Sequence, residues 1–345
     1  MRKNKMVAVG LTLTMSIMAL VGCGSSKSNR VSNDGGNTVN TEKYSIVCTT
    51  FPQYDWVREI IGNKAEQFQL TLLLDDGADL HSYQPTAEDI TKIASADLFV
   101  YVGGESDGWV NDALREATNK EMKVVNMLEA IGDAAKEEEL VEGMQGEEEH
   151  EHGEEAEEDH EHEEEGPEYD EHIWLSVKNA SKLTEVLAQT IQEMDVANAS
   201  EYENNAVSYI NKLNELDAQY QETVTSGSNK AVLFGDRFPF RYLVDDYDLE
   251  YYAAFIGCSA ETEASFETIT FLANKVDELG LSSILVLENS NQRIAETIKQ
   301  NTNDKNQEIL VMDSLQSITK DELEGDTTYY SVMEKNLEVL KKALH

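Results

Sequence analysis

Basic residues are scarce in this chain. Among 345 residues, 27 are Lys or Arg against 67 Asp or Glu, a formal net charge of −40. So acidic a surface repels polyanions, which argues against nucleic acid and anionic membrane faces as partners and leaves cations as the natural ones. Only three cysteines and four prolines occur, too few for a disulfide-stapled scaffold or a proline-rich linker. The apolar run from Met6 to Val21 falls short of the roughly 20 residues that span a bilayer. A Walker A loop, a dinucleotide fingerprint, a nucleophile elbow and an H-E-x-x-H helix are all missing, which removes the usual sequence warrants for nucleotide binding, serine hydrolysis and zinc proteolysis. No internal repeat is visible at periods of about 20 to 50 residues.

What is present begins with an export signal. Arg2, Lys3 and Lys5 precede the apolar run, and Gly24-Ser25-Ser26 follow it in place of a basic stop-transfer flank, so cleavage is expected over retention. Leu20-Val21-Gly22-Cys23 resembles a bacterial lipobox, which implies removal of residues 1–22 and lipidation of Cys23; the bland alternative is an ordinary signal peptide. Residues 23–43 then read as a flexible tether, rich in Ser, Asn and Gly, holding an extracytoplasmic body to the outer face of the cell membrane through the lipid alone. Cys48 and Cys258 remain, and they can bridge the two halves, stay free, or supply a soft ligand. A plain thiol or disulfide role ranks above ligation.

At 345 residues with 40% hydrophobic content, two lobes are the default expectation. Short β-branched runs at Tyr44–Thr50, Phe68–Leu74, Leu98–Val102 and Lys123–Met127 alternate with amphipathic ones at Tyr54–Ile61, Ala87–Ala94 and Trp109–Thr118. The same alternation returns after Ser226, with strands near Ala231–Phe234, Tyr251–Phe255, Ser283–Leu287 and Glu308–Val311 and helices near Phe266–Leu279, Gln292–Gln300 and Tyr329–Leu344. This order predicts two α/β lobes, residues 44–176 and 227–345, each with a mostly parallel sheet flanked by helices. Residues 177–226 carry helical periodicity without proline and predict a connecting helix of roughly 70 Å at full length, with Asn198-Ala199-Ser200 as a candidate interruption. Between Gly132 and Asp170 the composition turns to Glu with interspersed His, which predicts a disordered acidic loop.

Two histidines stand out. His81, in Asp75–Thr86, follows a predicted strand and precedes a helix, the carboxyl edge of the sheet where open α/β folds bind ligands; a lone loop histidine is otherwise an exposed or hydrogen-bonded residue. His172, in Asp170-Glu171-His172-Ile173-Trp174-Leu175, sits where the acidic loop ends and apolar sequence returns, which marks a fixed side chain, a capping or core histidine on the plainer reading. Glu288 closes the apolar strand Ile284–Leu287, and an unpaired charge there costs several kcal/mol; a salt bridge or a helix N-cap contact also satisfies it.

Gly77–Pro85 and Asp170–Leu175 resemble the G-x-x-x-H-x-Y-x-P and D-x-H-I-W-L segments of the metal-binding solute receptors of ABC importers, the ZnuA/TroA-like family, with Glu171 standing in place of the usual proline. Thr49–Asp55, Ala96-Asp97-Leu98 and Gly257–Ser265 echo that family too, so the resemblance spans Tyr44 to the C-terminus. It implies a metal ion held between two lobes, His81 and His172 as ligands, and carboxylates on the far wall. Relatives often have His or Glu after the strand matched here by Ala231–Phe234; this chain offers Asp236, which Arg237 can instead neutralise. The resemblance further implies Glu288 as fourth ligand and, as partners, a membrane permease with its ATPase, served by a monomer.

Two imidazoles with carboxylates suit Zn²⁺, with Mn²⁺ the alternative and copper not excluded by ligand type. His150, His152, His160 and His162 in the acidic loop form two H-E-H units expected to concentrate cations near the cleft, unless the insert merely solvates. Competing readings are a secreted zinc hydrolase, for which Glu288 or Asp236 would serve as general base, and a surface adhesin whose metal is structural.

Overall fold

A computed structural model describes residues 43–146, 168–259 and 263–345. Residues 1–42, which hold the expected signal and Cys23, fall outside it, as do the loop histidines 150, 152, 160 and 162. Among the described residues no helix is long and apolar enough to cross a membrane.

The alternation of elements produces two parallel four-stranded sheets. Strands β1 (Tyr44–Cys48), β2 (Phe68–Leu72), β3 (Leu98–Tyr101) and β4 (Lys123–Asn126) are ordered β2-β1-β3-β4. Strands β5 (Ala231–Phe238), β6 (Glu250–Ile256), β7 (Ser283–Leu287) and β8 (Glu308–Met312) repeat that topology as β6-β5-β7-β8. Every pairing is parallel. Helices cover both faces of such sheets, so central strands read as unbroken apolar runs; Ile46, Val47 and Cys48 of β1 and all of Ser283–Leu287 are buried. In each sheet the chain runs outward from the first strand to one side and then crosses to the other, which opens a crevice at the carboxyl ends of the strands. The expected fold class is therefore correct.

The helical stretch expected over 177–226 is two helices, Val177–Met194 and Ala199–Ser226. Asp195 leaves helical geometry at φ −125°, ψ 75°, and its carboxylate fixes the corner by accepting from the Asn198 amide and the Tyr202 hydroxyl, both at 2.7 Å. The two helices then pack against each other, so the 70 Å rod does not form. The 28-residue second helix, about 42 Å long, is the connector. Asn205 in its first half donates to the Ile60 carbonyl of the first lobe, and Tyr220 in its second half donates to the Met333 carbonyl of the second.

Part of the segment expected to be disordered is docked. Between Gly132 and Gly146 the chain makes backbone contacts that its acidic composition hides: Glu138 N–H donates to Glu168, Asp170 N–H to Lys136, and Gln145 N–H to Ala254 of the second lobe. Met144 is buried there, an apolar anchor that helps offset the ordering entropy.

The Thr49–Asp55 echo proves architectural. Gln53 Oε1 accepts from the backbone N–H of Thr49 and Thr50, closing the turn between β1 and the Phe51–Ile61 helix. Asp55 is fully buried and accepts from Tyr329 N–H at 2.8 Å. Tyr329 opens the last helix, stacks edge-on against Trp56 at 5.2 Å, and donates its hydroxyl to the Trp174 carbonyl at 2.6 Å. This buried hydroxyl ties the final helix to the His172 segment. Tyr329→Phe should destabilise the protein by about 1–2 kcal/mol, the cost of orphaning a buried acceptor, measured by urea denaturation; an unchanged midpoint would show that the bond carries no stability.

Candidate metal centre

His81 is presented by the loop that follows β2. Leu80, 1% exposed, pins the short Leu80–Ser82 turn, and Asp79 Oδ1 caps it by accepting from His81 N–H at 3.0 Å. The imidazole Nδ1 lies 2.9 Å from Ser106 Oγ. Ser106 is held in turn by the loop after β3, where Asp107 accepts from the N–H groups of Val102 and Gly103 and Ser106 N–H donates to Glu171 Oε1 at 2.7 Å. That loop needs a residue without Cβ at Gly104, which has φ 89° and where a Cβ would stand 2.5 Å from Glu171 Oε1.

His172 is fully buried. Its Nδ1 donates to Asp170 Oδ1 at 3.0 Å, and the same oxygen accepts its backbone N–H at 2.8 Å. Two residues on, buried Trp174 donates its indole N–H to the Ser314 carbonyl of the second lobe at 2.8 Å. Each imidazole thus has one nitrogen engaged and the other, Nε2, turned towards its partner; the two Nε2 atoms are 3.1 Å apart. Tetrahedral zinc with Zn–N bonds of about 2.0–2.1 Å requires an N···N edge of about 3.3 Å. The pair therefore fits two corners of such a site.

Two second-lobe groups stand against this pair, one absent from the sequence reading and one, Cys258, ranked there below a plain thiol or disulfide role. The Gln316 carboxamide, on the loop after β8, contacts both Nε2 atoms, 3.4 Å from that of His81 and in closer contact with that of His172. A half-turn of the amide exchanges its NH₂ for its oxygen, an acceptor able to face a cation. Cys258, on the loop after β6, completes with His81 and His172 a set of ligand atoms all within 4.8 Å of one another. Neither Cys258 nor Cys48 forms a disulfide. Nothing in residue type alone signalled Gln316; the Cys258 signal was an unpaired cysteine on the carboxyl edge of the second sheet.

Asp236 and Glu288 lie elsewhere. With Asp79, Arg237 and Gln316 they line an adjoining cavity of about 340 Å³, outside the histidine cluster. Asp236 sits at the register break of β5 and accepts from the N–H groups of Arg237 and Leu287. Glu288 is committed to the Ser314 turn, accepting from its N–H at 2.9 Å and its hydroxyl at 2.7 Å. Arg237, considered as a partner for Asp236, instead crosses to Asp79 of the first lobe at 3.0 Å.

A cavity of about 660 Å³ opens beside His81 and Cys258 and is walled by Glu105, Glu138, Glu139 and Glu171. Burial lifts Glu171 to about 7 and also raises Glu138. Burial, reinforced by the charge of His172, lowers His81 to about 3, so this imidazole is neutral and free to ligate. At His172 burial acts downward too, but the Asp170 carboxylate outweighs it and the pKa lies above its ordinary value. Burial and the Glu138 carboxylate keep the Cys258 thiol protonated.

The chain is similar to known proteins along most of its length. Residues 46–343 match the family described as zinc-uptake complex component A, periplasmic. The chain is 32% identical over 336 residues to the zinc-binding lipoprotein AdcA of Streptococcus pneumoniae strain R6, covering 96% of this chain and 60% of that relative. To the high-affinity zinc uptake system protein ZnuA of Bacillus subtilis strain 168 it is 29% identical, covering 97% of both. The crystal structure of the Zn(II)-bound ZnuA-like domain of S. pneumoniae AdcA superposes with a TM-score of 0.66 at 28% identity, over 88% of this chain and 99% of that one. The chain spans little more than half the length of the AdcA relatives.

Replacing Asp170 by Asn removes the charge that favours the His172 imidazolium. In the metal-free protein, NMR titration of Asp170→Asn should show His172 losing its proton at lower pH than in the wild type; an unmoved midpoint would mean that Asp170 does not set the state of this ring.

Proposed function

This chain belongs to the ZnuA zinc-uptake family, and on that premise we propose that it is an extracytoplasmic receptor that captures Zn²⁺ between its two lobes and delivers it to an ABC importer. The observation that carries the reading is the pair of Nε2 atoms 3.1 Å apart, each on a ring whose Nδ1 is already committed. Such fixed ring orientations, and at His172 the tautomer that the Asp170 carboxylate selects, are what histidine ligands gain from the groups behind them. The acidic cavity beside them draws cations in. His81 and His172 hold the ion, while Asp236 and Glu288 frame the adjoining cavity and contribute charge in place of a bond. A lipid anchor at Cys23 agrees with the lipoprotein name of the pneumococcal relative. The permease and ATPase as partners, the monomeric state, and loop histidines 150, 152, 160 and 162 as an auxiliary sink follow from the same reading.

Zinc is favoured over manganese because imidazole nitrogen is a borderline ligand that zinc takes readily, whereas manganese prefers an oxygen shell. Named relatives support this, being zinc-binding and zinc-uptake proteins. The hydrolase reading gains no support, since Glu288 and Asp236, its candidate bases, both lie outside the histidine cluster.

Calorimetric titration of zinc into protein lacking residues 147–167 tests the proposal. His81→Ala and His172→Ala should each weaken binding by about 100-fold or more, beyond the loss that follows removal of a supporting group, whereas Asp236→Ala and Glu288→Ala should cost far less. Zinc binding as tight in either histidine variant as in the wild type would refute the site. Protons compete with zinc at His172, and the folded protein raises that pKa. Affinity should therefore begin to fall, as pH is lowered, above the value of roughly 6.5 typical of free imidazole; a profile flat to pH 5 would contradict it.

A further inference from the structure

We infer that Cys258 is a direct ligand of the captured ion, so that the site is a mixed imidazole and thiolate centre closed from the second lobe by sulfur. This inference rests on the receptor reading and names the group that completes its site. Cys258 Sγ and the two imidazoles fall within 4.8 Å of one another. A tetrahedral zinc with Zn–S of about 2.3 Å and Zn–N of about 2.0–2.1 Å needs an S···N edge of about 3.5 Å, so a shift of about 1 Å closes the triangle.

The backbone brings the thiol there through a contact that only glycine permits. A Cβ at Gly257 would stand 2.9 Å from His172 Cε1 and 3.0 Å from the Phe238 carbonyl. The second-lobe loop therefore lies directly on the buried imidazole, with Cys258 as its next residue. Glu138 lines the same cavity as Cys258, its charge helps to hold the thiol protonated, and its Oε1 is buried with no hydrogen-bond partner. Glu171, 2% exposed, also leaves Oε2 without a hydrogen bond, 3.6 Å from His81 Nδ1. Uncompensated buried carboxylate oxygens beside such a cluster are costly and are relieved by positive charge nearby.

Ligation breaks the Sγ–H bond and forms the Sγ–zinc bond, and the proton passes to the Glu138 carboxylate; no electrons are transferred. Thiolate is a soft ligand that strengthens the preference for zinc over manganese. It also explains why Asp236 can stay engaged with backbone N–H groups.

Cobalt(II) as a spectroscopic substitute for zinc tests this on the full reduced chain. Wild-type protein and Cys48→Ala should show a thiolate-to-cobalt charge-transfer band at one equivalent. Cys258→Ser should lose the band, keep the histidine-dependent visible absorption, and bind zinc at least about 10-fold more weakly, the minimum expected from losing a group more intimate than an outer partner. A band that survives in Cys258→Ser, or a wild type that binds cobalt through its histidines with no band, overturns the inference while leaving the receptor reading intact. Absence of stoichiometric cobalt and zinc binding in wild type would instead remove the receptor reading and this inference with it.

Discussion

One buried ring governs the site. His172 has no exposed surface, and an imidazole that can neither reach water nor turn has two nitrogens to satisfy. Asp170 takes Nδ1, so Nε2 must face whatever the cleft provides. The segment that carries it cannot drift, because Trp174 is locked to the Ser314 carbonyl and its own carbonyl is held by Tyr329. Both clamps come from beyond the second connecting helix. The position of a first-lobe imidazole is therefore set by the packing of the second lobe.

The repeated sheet topology explains why the loops meet. Each sheet reverses its winding direction beside its first strand, and each reversal leaves a crevice at the carboxyl edge. His81 follows β2, Cys258 follows β6, Glu288 follows β7 and Gln316 follows β8. Facing the two crevices towards each other collects these side chains without any one strand having to carry more than one. Several glutamates wall the approach, and a cation entering between them is attracted electrostatically.

On the far wall, charge is balanced locally before any ion arrives. Glu288 satisfies the Ser314 turn, Asp236 accepts backbone N–H groups, and Arg237 neutralises Asp79 across the cleft. What remains opposite the histidines is a carboxamide and a thiol. Such a wall is neutral and softer than the pair of carboxylates that the sequence suggests there. Gly257 is what lets that wall approach so closely.

Strand and helix positions were legible because they depend on local period. Ala87–Ala94, Ser283–Leu287, Phe266–Leu279 and Tyr329–Leu344 match their expected bounds residue for residue. The two histidines were legible because each sits in a short motif whose neighbours, Asp79 and Asp170, fix it from within the same segment. The break between the two helices was legible near Asn198, but its cap at Asp195 and the docking of residues 135–146 were not, since both rest on side-chain or distant partners that periodicity does not register. Sequence by itself determined the fold class, the acidic character and the two histidines that the fold brings together. Only the tertiary structure decided which groups stand opposite them, because that depends on how close two backbones come and on which carboxylates have already found hydrogen-bond donors, and neither is a local property of the chain.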